Sequence, residues 1–162
     1  MGLTQPLDRK LDLEGLFRKY GVEPYDSVTV LLDVSCGCVA KGEAEAVVSA
    51  LKEASQNMRL AVGFIAFSSR DKVDFSATYT PGTIDSLTFG RWGGGPTYIG
   101  PALDEARRLN MPGKTFIITD GYFYDRFDPS GLDVVLVMIK GWSGCIIHNT
   151  PEEFLSLQRD YV

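Results

Sequence analysis

The chain has 162 residues, 44% of them hydrophobic and 23% charged, the balance of a globular protein with one core. A net charge of -5, without clustered Lys and Arg, argues against a nucleic-acid partner. No apolar run reaches the roughly 18 residues of a membrane span, so a membrane partner is not expected either.

The opening stretch "MGLTQPLDRKLDLEG" has no apolar core of the signal-peptide kind. The three cysteines, at 36, 38 and 145, are an odd set best read as reduced thiols, and a cytoplasmic location is expected. Leu13, Leu16, Phe17 and Tyr20 recur at helical spacing before Gly21, so residues 1–21 read as an appended N-terminal helix. Residues 27–34, "SVTVLLDV", are β-branched and almost wholly apolar, as in a strand covered on both faces. Residues 40–57 place Ala44, Val47, Val48 and Leu51 on one face of an amphipathic helix. A second apolar strand spans 59–69, and 72–79 alternates Val73, Phe75 and Ala77 with polar residues, as an edge strand does.

A loop rich in Gly and aromatics, "FGRWGGGPTYIG", leads to a helix over 101–110, with Ile99, Leu103, Ala106 and Leu109 toward the core. Strands follow at 115–120, ending in Asp120, and at 132–140, with a loop between them. Residues 144–148 suggest a short last strand. Thr150, Pro151 and Glu153 match the N-cap, N1 and N3 pattern of a terminal helix over 150–162. Alternating strands and helices predict a single domain, an open, mostly parallel, doubly wound Rossmann-like α/β sheet flanked by helices.

Ligands of such sheets bind beyond the carboxyl ends of the strands, at the switch in strand order. Two apolar strands end there in a carboxylate, Asp33 and Asp120. Each side chain either caps a turn through backbone N–H groups or serves a ligand. Ser35 stands two residues after Asp33, and Thr97 stands at the mouth of a helix; Asp, Ser and Thr oxygens suit a hard divalent cation. The glycine loop also allows a phosphate cradle, but it lacks the Lys-Ser/Thr of a P-loop and does not follow a buried strand.

The set "DVSCG", "GGGPTYIGPAL" and "ITDG", in that order over about 27–140, resembles the metal-ion-dependent adhesion site of von Willebrand factor A domains. The resemblance implies a vWA-type sheet and Mg²⁺, or Mn²⁺ or Ca²⁺ in its place. It implies Ser35 and Thr97 as direct ligands, with Asp33 and Asp120 acting through water. Gly37 occupies the place of the family's second serine, so one hydroxyl ligand is missing. The resemblance also implies a protein partner that offers an Asp or Glu to the ion.

Other chemistry fits less well. Neither Cys36 nor Cys38 has the arginine six positions later that a cysteine phosphatase needs. A zinc set of Cys36, Cys38, Cys145 and His148 would need Cys145 and His148 on one face of a strand, which alternation forbids. Near the proposed site, Trp92, Tyr98, Tyr122 and Gly37 are the candidate partner contacts. Trp92 and Tyr122 are expected to be exposed, and Phe89 and Phe123 buried. The resulting expectation is a non-enzymatic protein-interaction module. The alternatives are a Mg²⁺-dependent phosphoryl-transfer or hydrolytic enzyme using Asp33 and Asp120, and a structural subunit with a metal-free site.

Overall fold

The apolar runs of the sequence form the strands of one sheet, and the computed structural model describes residues 11–35, 41–69, 71–139, 150–154 and 157–161. The strands are β1 (Ser27–Asp33), β2 (Ala61–Phe67), β3 (Phe75–Tyr79), β4 (Lys114–Thr119), β5 (Asp133–Met138) and β6 (Gln158–Tyr161). Their order is β3-β2-β1-β4-β5-β6, and only β3 runs antiparallel to its neighbour. Among the described residues, three α-helices, α1 (Leu13–Lys19), α2 (Lys41–Met58) and α3 (Gly100–Leu109), complete the α/β frame.

Strand alternation divides the core between the two faces of the sheet. Val28, Val30 and Leu32 of β1 and Phe116 and Ile118 of β4 pack with α1 and α2. Leu31 and Ile117 point the other way and pack with Ile99, Leu103 and Ala106 around α3. This explains why β1 and β4 are apolar without alternation: both faces are covered. The doubly wound, Rossmann-like expectation holds, and so does the edge position of β3.

Helix α1 is part of this core rather than an appendage. Asp12 caps it by accepting from the Gly15 N–H at 2.8 Å. Phe17 is fully buried, with its ring 4.7 Å from that of Phe116. Helix α3 stops at Asn110, which takes the left-handed conformation.

The C-terminal expectation is corrected. The capping pattern at Thr150 to Glu153 opens only a short 3-10 turn, Glu152–Phe154, and the chain then joins the sheet as β6. β5 otherwise leaves a row of unpaired backbone groups, and parallel pairing with β6 satisfies them. Lys19 Nζ and the Tyr20 hydroxyl both donate to Asp160 Oδ2, at 2.6 and 3.2 Å, and fasten β6 to α1. The suggested strand at 144–148 lies outside the described residues, as do Cys36, Gly37, Cys38, Cys145 and His148. Among the described residues no helix is long and apolar enough to cross a membrane.

The chain leaves β1 for β2 and β3 on one side and returns as β4 on the other. The switch in strand order therefore lies between β1 and β4, where both carboxyl ends meet the loops after β1, before α3 and after β4.

Candidate functional site

Asp33 closes β1 at this switch point and is fully buried. It shares the α3 face with Leu31, two residues back. Leu31 pairs with Ile117 across the β1–β4 ladder, so Thr119 is the residue that reaches Asp33. Thr119 Oγ1 donates to Asp33 Oδ2 at 2.7 Å and accepts from the Gly121 N–H at 3.0 Å. The Ser35 N–H donates to Asp33 Oδ1 at 2.9 Å.

These bonds offset only part of the cost of burying a carboxylate. Burial pushes the Asp33 carboxyl above its ordinary value, the hydrogen bonds from Ser35 and Thr119 pull it down, and the nearby Asp120 pushes it up again. Among the described residues no Lys or Arg bonds to Asp33.

Ser35 and Thr97 are both buried. Thr97 Oγ1 donates to Ser35 Oγ at 2.5 Å. The glycine loop makes this approach possible. Gly93, Gly94 and Gly95 all have φ near +93°, where other residues are strained. A Cβ on Gly93 would overlap the carbonyl oxygen of Val34, so the loop lies directly on the end of β1. The Tyr98 N–H, donating to the Ser68 carbonyl at 2.9 Å, fixes the loop to the end of β2.

Asp120 follows β4 and is partly buried, and its Oδ1 accepts from the Tyr122 N–H at 3.0 Å. This is the turn-capping geometry weighed for both aspartates, and it is compatible with a ligand role for the other lone pairs. Asp125 lies further along the same loop. Its two oxygens accept from the Ile99 and Gly100 N–H groups at 2.9 and 2.8 Å. The positive end of α3 is thus filled by the chain's own carboxylate, where a phosphate-cradling loop would hold its ligand.

The structure brings Asp33, Ser35 and Thr97 into one hydrogen-bonded cluster, with Asp120 close enough to disturb Asp33 electrostatically. Gly37 lies outside the described residues. Thr119 and Asp125 are the members that sequence reasoning missed. Thr119 has the same strand parity as Ile117, but its role shows only once β1 and β4 are known to be neighbours. Asp125 sits in a loop with no local signal.

Of the aromatic candidates, Tyr122 is exposed and Phe123 buried, as expected. Trp92 is corrected: it is only partly exposed, and its ring lies 5.6 Å from Phe64, 5.2 Å from Phe75 and 5.0 Å from Phe89. The tryptophan roofs the core under the glycine loop, because burying its large apolar ring outweighs display. Tyr98 instead stacks on Tyr124 at 5.9 Å, and Tyr122 meets Tyr124 edge-on at 5.6 Å. Tyr122 and Tyr124 are 44% and 60% exposed and form the outward aromatic surface of this edge, with the half-buried Tyr98 stacked on Tyr124.

The donor set can be tested against a cation by its chemistry. It consists of two carboxylates and two hydroxyls in contact, all hard oxygen donors. Among the described residues no group of three or more His, Cys, Asp or Glu is placed to hold a metal, so any ion at this edge would depend on hydroxyl and water oxygens beside its carboxylates. A buried carboxylate that meets no Lys or Arg among the described residues, beside paired hydroxyls, is compatible with a hard divalent ion. The family resemblance would make Ser35 and Thr97 the direct ligands of such an ion, with Asp33 and Asp120 around it. No protein-family model matches the chain, and no curated protein or solved structure matches it either.

Proposed function

We propose that the protein is a non-enzymatic interaction module. It binds a protein partner at the carboxyl edge of its sheet through a divalent cation, in the manner of the adhesion site of von Willebrand factor A domains. The observation that carries this reading is the convergence of Asp33 at the end of β1, Ser35 just after it and Thr97 of the glycine loop on one buried oxygen cluster at the β1–β4 switch point. Carboxylates and hydroxyls there offer Mg²⁺ hard ligands, and the ion reverses the local charge so that a partner's Asp or Glu is attracted. Water takes the place of the hydroxyl that Gly37 lacks. A cytoplasmic setting suits the cysteine usage.

The enzyme alternative calls for a third carboxylate or a lysine at the same edge. Asp125 is such a carboxylate, but both its oxygens serve the start of α3. That supports a binding role over a hydrolytic one. Two assays test the reading. Mg²⁺ titrated into the protein is expected to give binding heat, and a generic phosphoester is expected to stay intact in the presence of Mg²⁺. Turnover that disappears in Asp120→Ala would replace the module with an enzyme.

A further inference from the structure

Thr97 owes its position to the loop after β4 as much as to its own. The Tyr124 N–H donates to the Thr97 carbonyl at 2.9 Å. The Tyr98 and Tyr124 rings stack beside that bond. Asp125 then bonds the Ile99 and Gly100 N–H groups. The fit is close at position 100, where a Cβ would come 2.8 Å from Asp125 Oδ2 and push the carboxylate aside. Four consecutive residues, 97 to 100, are thereby joined to two, 124 and 125, by a backbone bond, a ring stack and a bidentate carboxylate.

We infer that Asp125 is a positioning residue: its carboxylate latches the tyrosine-bearing loop 121–127 to the start of α3 and so sets Thr97 against Ser35. The latch is strong for its size, because charged acceptors at a helix N-terminus gain from both the hydrogen bonds and the helix dipole. Its consequence for cation binding rests on the adhesion-site reading above; the placement of Thr97 does not. Tyr122 and Tyr124 lie on the same loop, so a partner seated on the tyrosines and a cation held by Thr97 act on one rigid unit. Any change that a partner on the tyrosines makes in cation affinity is matched by an equal change that the cation makes in partner affinity.

Amide hydrogen exchange and Mn²⁺ titration of the full chain, in wild type, Asp125→Asn and Asp125→Ala, test the latch. Asp125→Ala is expected to lose protection at the Ile99, Gly100 and Tyr124 amides and to bind Mn²⁺ about 10-fold more weakly. Asp125→Asn keeps one acceptor oxygen and is expected to fall between, a graded rescue that general loosening of the fold would not give. A Tyr124 amide as protected in Asp125→Ala as in wild type would overturn the inference. So would equal Mn²⁺ affinity in all three proteins. A wild type that binds no Mn²⁺ would sink the adhesion-site reading, while the exchange pattern would still decide the latch.

Discussion

Thr97 and Ser35 stand 62 residues apart in the chain, yet their hydroxyl oxygens lie 2.5 Å apart in a buried contact. The loop after the central strand β1 and the glycine loop between β3 and α3 converge there, with Asp33 immediately beneath. Thr97→Val keeps the shape and removes the hydroxyl. It is expected to cost about 1 kcal/mol of stability, the ordinary value of one buried hydrogen bond, and to weaken Mn²⁺ binding. Urea unfolding followed by Mn²⁺ titration measures both, and unchanged Mn²⁺ affinity would remove Thr97 from the ligand set.

Asp33 gives the protein a pH dependence of definite sign. Burial raises its carboxyl above the ordinary value of 3.8, so through the window above 3.8 the folded state binds more protons than the unfolded. The stability contributed by Asp33 is fully present below 3.8 and is lost as pH rises through the raised folded value. Asp33→Asn keeps an acceptor for the Ser35 N–H and offers Thr119 an amide donor, without the buried charge. Free of metal, this variant is expected to be more stable than wild type at about pH 7, with the advantage shrinking toward about pH 4. Urea unfolding at the two pH values checks this, and an advantage that grows on acidification would contradict it.

The glycine loop has one position closed to side chains by sterics and others closed only by backbone preference. Gly93→Ala must both hold φ near +94° and displace the Val34 carbonyl, whereas Gly94→Ala meets open space at φ +93°. The Gly94 variant is expected to lose about 1 kcal/mol, and the Gly93 variant clearly more. Thermal unfolding of the pair measures the gap. Equal losses would mean that the loop does not rest on the end of β1.

Trp92 and Tyr122 are expected to separate stability from binding. Trp92→Ala removes a ring packed on Phe64, Phe75 and Phe89 and should cost about 3 kcal/mol. Tyr122→Ala removes a surface ring and should cost about 1 kcal/mol or less. Denaturant midpoints in the two variants give the comparison. A larger loss for Tyr122 would place that ring in the core.

The division between what was readable in the sequence and what was not follows physical range. β1, β2, β4 and β5 were legible because strands covered on both faces must be apolar throughout, and α2 because its buried side repeats at helical spacing. The strand ends Asp33 and Asp120 were legible because a carboxylate closing an apolar run needs a partner. The terminal strand β6 was not, because the capping pattern at Thr150 to Glu153 describes how a turn begins. It does not show that an unpaired edge of β5 waits nearby. Trp92 was misplaced for a similar reason: its neighbours Phe64 and Phe75 belong to β2 and β3, and composition alone could not bring them under the loop. Thr119 acts through a contact across the β1–β4 switch point, which only the strand order reveals, and Asp125 through a contact between its loop and the start of α3, for which the sequence carries no local signal.

The most direct test of the central claim is calorimetric titration of Mg²⁺ and Mn²⁺ into wild type, Asp33→Asn and Gly37→Ser. The account expects measurable binding in wild type, none in Asp33→Asn, and tighter binding in Gly37→Ser, where a hydroxyl returns to the place the family resemblance assigns to a ligand. Absence of heat in wild type and Gly37→Ser alike would contradict it and leave a metal-free scaffold at the end of the sheet.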